Sequence, residues 1–451
     1  MIIILGADLA GLSASYHLGH ENCQLFEQHA YAGGHIHSER RDGFTWDEGP
    51  HVSFTKHAYV LELFAASTEF LEYPVFPTNY YKGSWVPHPA QTNLYALPEE
   101  IRERCVADFL KTRESADDTS FSPANYQQWL EFAFGKTFAN TFPRAYTEKY
   151  WTTTPENLTT DWVGSRVYSP KREDVLQGAL KPLDAATHYI TSVRYPKEGG
   201  YFSFAKKLAE GANINYGKKF SYISFENKKI YFTDGSELAY EKLINTIPLP
   251  ILIKQSDAPT VVKEAAARLS CSSVLIVNVI ANHSALRNEN WIYVYDSDKY
   301  SSRINFTELL SPANGVPGKT GIQVEVYFSK YKGLNKSSED LIDIVCDELI
   351  EMGLIKSKDS IESTHSKLVE WANVIFDHSR TEALEVIFNW LSNFGLVREQ
   401  DDLMPMTDWD ERDQDSNLLG DIFLAGRFGQ WKYFWSDDCV LRGRYLGERI
   451  A

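Results

Sequence analysis

The sequence predicts an α/β protein in which a nucleotide-binding domain of parallel strands is interrupted by a helical insertion and by a domain built on an antiparallel sheet. Three observations predict this fold class. A buried apolar strand and a glycine turn occupy residues 2–11, helical periodicity prevails over 99–142, and strand-like runs prevail over 272–328. A further buried strand near 421–426 predicts that the chain returns to the first domain.

The first fifty residues predict a dinucleotide site. Residues 1–5 are an apolar run typical of a buried strand, and Gly6 and Gly11 then enclose a tight turn into a helix over about 11–18. A second strand over 23–27 ends at Glu27, about 20 residues after the first glycine. A Rossmann-like unit places there the carboxylate that hydrogen-bonds the adenosine ribose. Gly33 and Gly34 follow, where the backbone can approach a ligand closely.

Position 8 departs from the usual glycine pattern, because Asp8 stands where the middle glycine is expected. That glycine normally lets the backbone approach the pyrophosphate, and a carboxylate adds bulk and negative charge at the positive end of the helix. We therefore expect a weakened affinity. The site is retained if Asp8 turns outward or is bridged by a cation or water; otherwise it has lost its cofactor.

Composition excludes several classes of protein. The 451 residues can bury a large core, and a net charge of -16 argues against nucleic acid or an anionic membrane as a partner. Five widely spaced cysteines without a CxxC pair argue against a metal site and a disulfide framework. No stretch approaches the roughly 18 apolar residues of a membrane helix, and the first apolar run is too short for a signal sequence. We expect a cytoplasmic protein.

The middle of the chain alternates between helical and strand-like patterns. Residues 122–142 predict a helix with Ser122 as N-cap and Pro123 at its first position, and 338–352 predict an amphipathic helix that ends at Gly353. Further helices are predicted over 57–66 and 99–111, and the aromatic, proline-containing stretch 80–97 favours strands and turns. Strands are predicted over 221–225, 229–232, 243–247, 272–280, 291–295 and 321–328.

The last fifty residues predict the second half of a cofactor site. A buried strand over 421–427 contains Gly426 and Arg427 at its end, and a helix is expected over 439–450. Ligands of open α/β sheets bind beyond the carboxyl ends of strands, so these two residues are expected to face a cofactor. Free N–H groups at the start of the helix could stabilise the negative charge on a reduced flavin. An adenine half and a flavin half together predict FAD rather than NAD.

With FAD as the predicted cofactor, the chain divides into five segments. The Rossmann-like FAD-binding domain is expected to comprise 1–60, 196–255 and 401–451. A helical insertion on the substrate side is expected over 61–195, and an antiparallel-sheet substrate domain over 256–400.

Four motifs resemble the ordered signature of the UDP-galactopyranose mutases, bacterial and eukaryotic. They are GPHVSFT at 49–55, YTEKYW at 146–151, SRI at 302–304 and GRFGQWKY at 426–433. The first is shared with protoporphyrinogen oxidases and amine oxidases, whereas the last is more specific. The resemblance is spread over most of the chain.

This resemblance implies an FAD-dependent mutase that interconverts the pyranose and furanose forms of a nucleotide-diphosphate sugar, in surface polysaccharide synthesis. In the mutases, N5 of the reduced flavin attacks the anomeric carbon, so the protein needs no nucleophile of its own. A small-molecule nucleotide sugar is the implied partner. A reductant such as NAD(P)H and the oligomeric state stay open.

The sequence patterns and the resemblance together give three sets of site residues, with no metal ligand among them. The catalytic set is His51, Arg303 and Tyr433. The substrate-binding set is Trp151, Arg172, Arg303, Arg427 and Tyr433. The cofactor-binding set is Gly6, Ala7, Leu9, Ala10, Gly11, Glu27, Gln28, Gly33, Gly34, His35, Gly49, Pro50, His51, Gly426, Arg427, Tyr433, Asp437 and Asp438.

By similarity, Arg303 and Tyr433 would hold the substrate diphosphate and Trp151 would lie along the nucleotide. Arg427 would sit against the flavin, and His51 would approach its N5. A guanidinium fork suits phosphate because it makes bidentate contacts and stays charged.

Each role has a structural alternative. The two arginines could form structural ion pairs, Trp151 and His51 could be core residues, and the two aspartates could cap the last helix. Arg166 and Arg172 both lie near where the mutases have another diphosphate-binding arginine, and the spacing does not decide between them.

Departures from the mutase pattern leave two other functions open. Phe54 replaces a second histidine, and Trp435 replaces an aspartate of the bacterial members. One alternative is an oxidase or desaturase of the protoporphyrinogen or amine oxidase type, with an apolar or aromatic-caged site. The other is a non-catalytic relic in which Asp8 excludes FAD.

Overall fold

The computed structural model describes residues 1–115, 121–164, 167, 169–183, 190–398 and 418–450. Its strands are β1 (Ile2–Leu5), β2 (Cys23–Phe26), β3 (Ser38–Arg41), β4 (Phe44–Asp47), β5 (Phe70–Pro74), β6 (Thr78–Tyr81), β7 (Ser84–Pro87), β8 (Ser192–Pro196), β9 (Ile214–Asn215), β10 (Phe220–Ser224), β11 (Lys229–Phe232), β12 (Glu237–Ala239), β13 (Lys242–Asn245), β14 (Ser270–Ala281), β15 (Trp291–Val294), β16 (Arg303–Phe306), β17 (Thr320–Phe328), β18 (Ile361–Ile375) and β19 (Ile422–Leu424).

The α-helices of the described residues are α1 (Leu9–Leu18), α2 (Ala58–Ser67), α3 (Glu99–Ser115), α4 (Tyr126–Phe134), α5 (Lys136–Thr141), α6 (Pro143–Tyr150), α7 (Arg172–Leu180), α8 (Lys206–Ala209), α9 (Leu249–Lys254), α10 (Thr260–Arg268), α11 (Thr307–Leu310), α12 (Ser338–Glu351), α13 (Arg380–Ser392), α14 (Gly426–Gly429) and α15 (Ser436–Arg449).

A parallel sheet joins the first, middle and last parts of the chain. Its strand order is β19-β13-β1-β2-β9, and every neighbouring pair is parallel. The carboxyl ends of β1, β2, β13 and β19 therefore meet at one edge, beside the starts of α1 and α14. α15 packs closely on α1, since a Cβ at Gly443 would lie only 2.6 Å from the backbone oxygen of Ala10.

A larger sheet of seven strands, in the order β18-β14-β17-β16-β15-β6-β7, forms the second layer of the fold. Its pairs are antiparallel apart from β15 with β6. α12 packs on it through Leu341, Val345 and Leu349, which recur at helical spacing and are fully buried. A capping box between Ser337 and Asp340 fixes the start of this helix.

The helices of residues 99–150 enclose an apolar core with Phe109, Leu130 and Phe142 at its centre. The prediction of one helix over 122–142 is wrong. The first helix begins after Asn125, whose side chain accepts from the Gln128 N–H, and Gly135 separates α4 from α5. Gly135 has φ +78°, and a Cβ there would lie 2.6 Å from the Phe109 backbone nitrogen, so a continuous helix cannot pass.

Two boundaries near the end of the chain also differ from prediction. The strand expected over 421–427 stops at Leu424, because Gly426 adopts φ +78° and begins α14. The helix expected over 439–450 starts earlier, at Ser436. Among the described residues, none of the helices is both long and apolar enough to cross a bilayer.

Candidate functional site

The glycine turn after β1 is closed by backbone contacts that leave no room for side chains. Gly6 has φ +100°, and a Cβ there would overlap the hydroxyl of Thr246 at the end of β13. A Cβ at Gly11 would overlap the carbonyl oxygen of Gly6. These approaches bring the start of α1 to the carboxyl edge of the parallel sheet, beside the ends of β1 and β13.

Glu27 lies at the same edge, directly after β2. Its side chain is 7% exposed, and its Oε2 accepts a hydrogen bond from the Ala7 N–H at 3.0 Å. Oε1 accepts from the His29 N–H at 2.9 Å. Each carboxylate oxygen has a second acceptor position, so the geometry allows Glu27 to bind ribose hydroxyls as predicted.

Asp8 turns toward the start of α1. Its Oδ1 accepts hydrogen bonds from the Ala10 N–H at 3.0 Å and from the Gly11 N–H at 2.9 Å. Burial raises the pKa of this carboxyl to about 6, although the N–H donors oppose the rise. The outward orientation considered from the sequence is therefore not the one observed, and the carboxylate occupies the anion position of the helix.

The Gly33-Gly34 segment crosses over this turn. The Gly33 N–H donates to the Ala7 carbonyl at 2.8 Å, and a Cβ at Gly34 would lie 2.9 Å from the Cβ of Asp8. The ring centroids of the next residue, His35, and of Phe428 lie 5.3 Å apart. The first glycine motif therefore contacts the motif near the end of the chain.

Gly426 completes this contact from the other side. A Cβ at Gly426 would lie 3.2 Å from the Cβ of Ala10 and 3.8 Å from Oδ2 of Asp8. The starts of α1 and α14 thus pack closely against each other at the edge of the sheet. Both halves predicted to hold the cofactor converge here.

Arg303 lies on β16, opposite Glu325 on β17. Its Nε and Nη2 each donate to one carboxylate oxygen of Glu325 at 2.7 Å, which makes a bidentate pair. The arginine side chain is 23% exposed, whereas that of Glu325 is 4% exposed. Arg303 therefore forms the structural ion pair that was its alternative role. The pair with Glu325 uses two of the five N–H groups of the guanidinium.

The GPHVSFT segment packs directly on this ion pair. Gly49 has φ +89°, and a Cβ there would lie 2.6 Å from Oε1 of Glu325. Nδ1 of His51 donates to the Gly49 carbonyl at 3.0 Å, so Nε2 is the unprotonated nitrogen of a neutral ring. Burial and then the charges of Arg303, His35 and Arg427 lower the pKa of His51 to about 3. His51 is a neutral acceptor in a cationic surrounding.

Arg427 is held mainly by the backbone. Nε and Nη2 donate to the Phe434 carbonyl at 2.9 and 2.8 Å, and Nη1 lies 3.2 Å from the Ala372 carbonyl on β18. Its Cζ is 5.9 Å from the centre of the Tyr433 ring. This geometry ties the 430–435 loop to the large sheet and orients Tyr433.

An aromatic wall surrounds the two arginines. The Trp151 and Tyr433 rings lie 5.4 Å apart, but Trp151 is only 5% exposed and belongs to the core, as its alternative supposed. Four tyrosines and one glutamate near Arg303 were not predicted from the sequence. They are Tyr146, Tyr150, Tyr293, Tyr327 and Glu325.

Strand register explains part of this wall. Tyr293, Arg303 and Glu325 are cross-strand partners on β15, β16 and β17, so they form one row on one face of the sheet. Tyr327 lies two residues after Glu325 and shares that face. A polar residue within each apolar strand was the available signal, but the pairing that aligns them is not visible in the sequence.

The remaining predicted residues lie at the margins. Gln28 and Arg172 are exposed, the latter at the start of α7. Asp437 and Asp438 are buried, and the Asp438 side chain accepts from the Trp435 N–H at 2.9 Å, which is the capping role. Arg166 lies outside the described residues. Within those residues, no group of three or more metal-ligating side chains occurs.

Comparison with known proteins places this geometry in context. A family model described as flavin containing amine oxidoreductase matches residues 9–445. A solved structure of a reduced UDP-galactopyranose mutase has the same fold, with 23% identity and a TM-score of 0.87 over 99% of this chain and 94% of that chain.

Two other solved structures share the fold at lower identity. A protein of Exiguobacterium sp. 255-15, described as a candidate protoporphyrinogen oxidase, has 15% identity and a TM-score of 0.71 over 99% of this chain and 97% of its own. An engineered putrescine oxidase has 12% identity and a TM-score of 0.62 over the same shares, 99% and 97%. The predicted α/β fold class is confirmed by these likenesses, which concern the fold alone.

Proposed function

We propose that this chain, which belongs to the flavin-containing amine oxidoreductase family, is an FAD-dependent mutase of nucleotide-diphosphate sugars. The family uses FAD, so the predicted cofactor is confirmed. The proposed reaction interconverts the pyranose and furanose forms of the sugar. Its place in surface polysaccharide synthesis is part of the proposal.

The residues at the carboxyl edge of the parallel sheet fit FAD. Glu27 offers acceptors for the adenosine ribose, and the close backbone approaches at Gly6 and Gly11, where a Cβ would not fit, bring the start of α1 to the same edge. Gly34 and Gly426 lie close to Asp8 and Ala10 at the start of α1, where a Cβ on either glycine would be in tight contact. FAD, when bound, supplies a ring whose N5 becomes nucleophilic on reduction.

One observation carries the substrate assignment: the positive charges of Arg303 and Arg427 both act on the neutral His51, beside tyrosines that also lie near Arg303. Glu325 is the carboxylate of this cluster, and its charge is balanced by Arg303. With His51 neutral, the cluster keeps an excess positive charge that favours an anionic substrate. A diphosphate suits it, whereas the amine cation of a putrescine-type substrate would be repelled.

The proposed roles follow from these contacts. Arg303 binds the diphosphate through N–H groups that Glu325 does not use, and Glu325 fixes the plane of the guanidinium. Arg427 orients Tyr433, whose hydroxyl is proposed to reach the phosphate. His51 accepts a hydrogen bond at Nε2 without carrying charge.

The test is anaerobic incubation of the dithionite-reduced holoprotein with UDP-galactofuranose and related nucleotide sugars. Chromatography should detect the pyranose form, with turnover only in the reduced protein. The Arg303→Lys variant retains the charge without the fork, and we expect it to be slower at equal flavin content. If reduced holoprotein converts none of these sugars, the mutase assignment is wrong.

The aromatic wall favours a second candidate, an FAD-dependent oxidase or desaturase of an anionic substrate. Tyr146, Tyr150, Tyr293 and Tyr327 would give the apolar part of a carboxylate substrate a largely aromatic cage. Its substrate would bleach the flavin absorbance anaerobically, and oxygen would restore the colour. A nucleotide sugar undergoing the mutase reaction would leave the redox state unchanged.

A further inference from the structure

Asp8 stands where the cofactor pyrophosphate is expected. A helix N-terminus binds phosphate through its free N–H groups, and two of those on α1, from Ala10 and Gly11, already donate to Asp8 at 3.0 and 2.9 Å. Two anions cannot share these donors. The conflict is local, because Glu27 and Gly426 leave the neighbouring parts of the site intact.

We infer that FAD binding is coupled to the uptake of one proton by Asp8, which discharges the side chain that competes with the pyrophosphate for the start of α1. A neutral carboxyl no longer repels the phosphates, and its hydroxyl can donate to them. Asp8 is thereby a residue that sets the affinity for FAD and makes it depend on pH.

The surroundings of Asp8 support protonation at accessible pH. Burial is the main cause that raises its pKa to about 6, and the Glu27 charge adds to it from the end of β2. The Cys439 thiol on α15 faces Asp8. Burial and then the Asp8 charge raise the pKa of Cys439, and the Asp438 charge raises it further. Arg427 on α14 opposes that rise at Cys439. A diphosphate would bring further negative charge to Asp8.

The expected pH dependence has a definite sign. Below about pH 6 Asp8 is protonated before FAD arrives, so the affinity is independent of pH. Above it, each pH unit raises the dissociation constant by up to about tenfold, because a proton must be taken from solution. Between pH 6 and 8 the coupling amounts to as much as about a hundredfold.

The experiment is a titration of the FAD-free full chain with FAD from pH 5.5 to 8, followed by flavin fluorescence. The matched variant is Asp8→Asn, since asparagine caps helices as well as aspartate and carries no charge. We expect Asp8→Asn to bind FAD more tightly than the native chain does at pH 8, and its FAD affinity to change little with pH. Asp8→Gly, which restores the usual residue, should shift both quantities in the same direction.

Two controls separate this coupling from a general charge effect. Glu27→Gln removes a buried carboxylate at the same edge, and it should weaken FAD binding at every pH without flattening the slope. Asp42→Asn alters an exposed hairpin residue and should change neither quantity. Circular dichroism verifies that each variant is folded.

The inference is overturned if the native chain and Asp8→Asn bind FAD equally at pH 8, if their slopes coincide, or if neither variant at position 8 binds. An Asp8→Asn chain that binds at pH 8 while the native chain does not supports it. The inference rests on FAD as the cofactor and is independent of the sugar, so failure of the mutase assay does not affect it.

Discussion

The proposed cofactor half and the proposed substrate half of the site are built in different ways. At the parallel sheet, the path of the backbone determines the geometry of the site. Gly6, Gly11 and Gly34 approach their neighbours so closely that a Cβ would collide. At the seven-stranded sheet, side chains from separate strands determine the geometry, namely the ion pair of Arg303 with Glu325 and the tyrosines beside it. The folded structure should therefore be most sensitive to steric changes in the first half and to changes of charge in the second.

The largest effect is expected in the side-chain half, from Glu325→Gln. The Arg303 charge would lose its buried partner, which typically lowers the free energy of unfolding by about 3 kcal/mol. Urea unfolding measures this loss. Glu370→Gln on the exposed edge strand β18 is the matched control and should stay within about 0.5 kcal/mol. Equal stability of the two variants would mean that Arg303 does not depend on Glu325.

The backbone half should respond most to Gly11→Ala. The added Cβ would overlap the Gly6 carbonyl, and we expect a loss of about 2 kcal/mol in stability together with loss of FAD. Unfolding and flavin content are the measurements. Gly333→Ala is the control, because a Cβ there meets open space. An FAD content in Gly11→Ala equal to that of the control would contradict the tight turn.

Arg303→Lys sharpens the comparison, because it changes fork geometry and keeps the charge. We expect UDP to bind the holoprotein about tenfold more weakly, or roughly 1.4 kcal/mol, while FAD affinity stays the same. Calorimetric titration with UDP checks the first quantity and flavin fluorescence the second. A parallel fall in both affinities would show that the two halves are not separable in this way.

The smallest effect concerns His51. Its pKa falls to about 3 in the folded chain, below the ordinary value near 6.5, so between these pH values the unfolded chain binds more protons. Its contribution to stability therefore diminishes as the pH falls below about 6.5. Between pH 6.5 and 5.5, His51→Gln should lose about 1 kcal/mol less stability than the native chain does. Identical losses would show that the pKa of His51 is not lowered in the folded chain.

Short motifs in the sequence indicated the segments that the structure brings together in the proposed cofactor half. The run before Gly6, the position of Glu27 and the later Gly426 all depend on backbone geometry, which leaves glycines at fixed spacings. The direction of the Asp8 side chain did not follow, because the same residue could turn outward or cap the helix. The hydrogen bonds to Ala10 and Gly11 decide it.

In the proposed substrate half, the sequence indicated residues only where the family resemblance supplied a motif. Arg303 came from such a motif, but its partner Glu325 lies on another strand, and a sequence does not give strand register. The helix break at Gly135 was missed for a related reason, since the close contact with Phe109 comes from a separate helix. The sequence does not show which segments that are far apart along the chain contact each other in the fold.

The proposed FAD site and the proposed cationic substrate site adjoin each other. A ligand bound in the substrate site must therefore change the surroundings of the flavin ring. Titration of the oxidised holoprotein with UDP, followed by the visible flavin spectrum, tests it directly. We predict a saturable spectral shift in the native chain that needs a higher UDP concentration in Arg303→Lys. UDP that binds tightly without altering the flavin spectrum, or a chain that does not bind UDP, would contradict the claim.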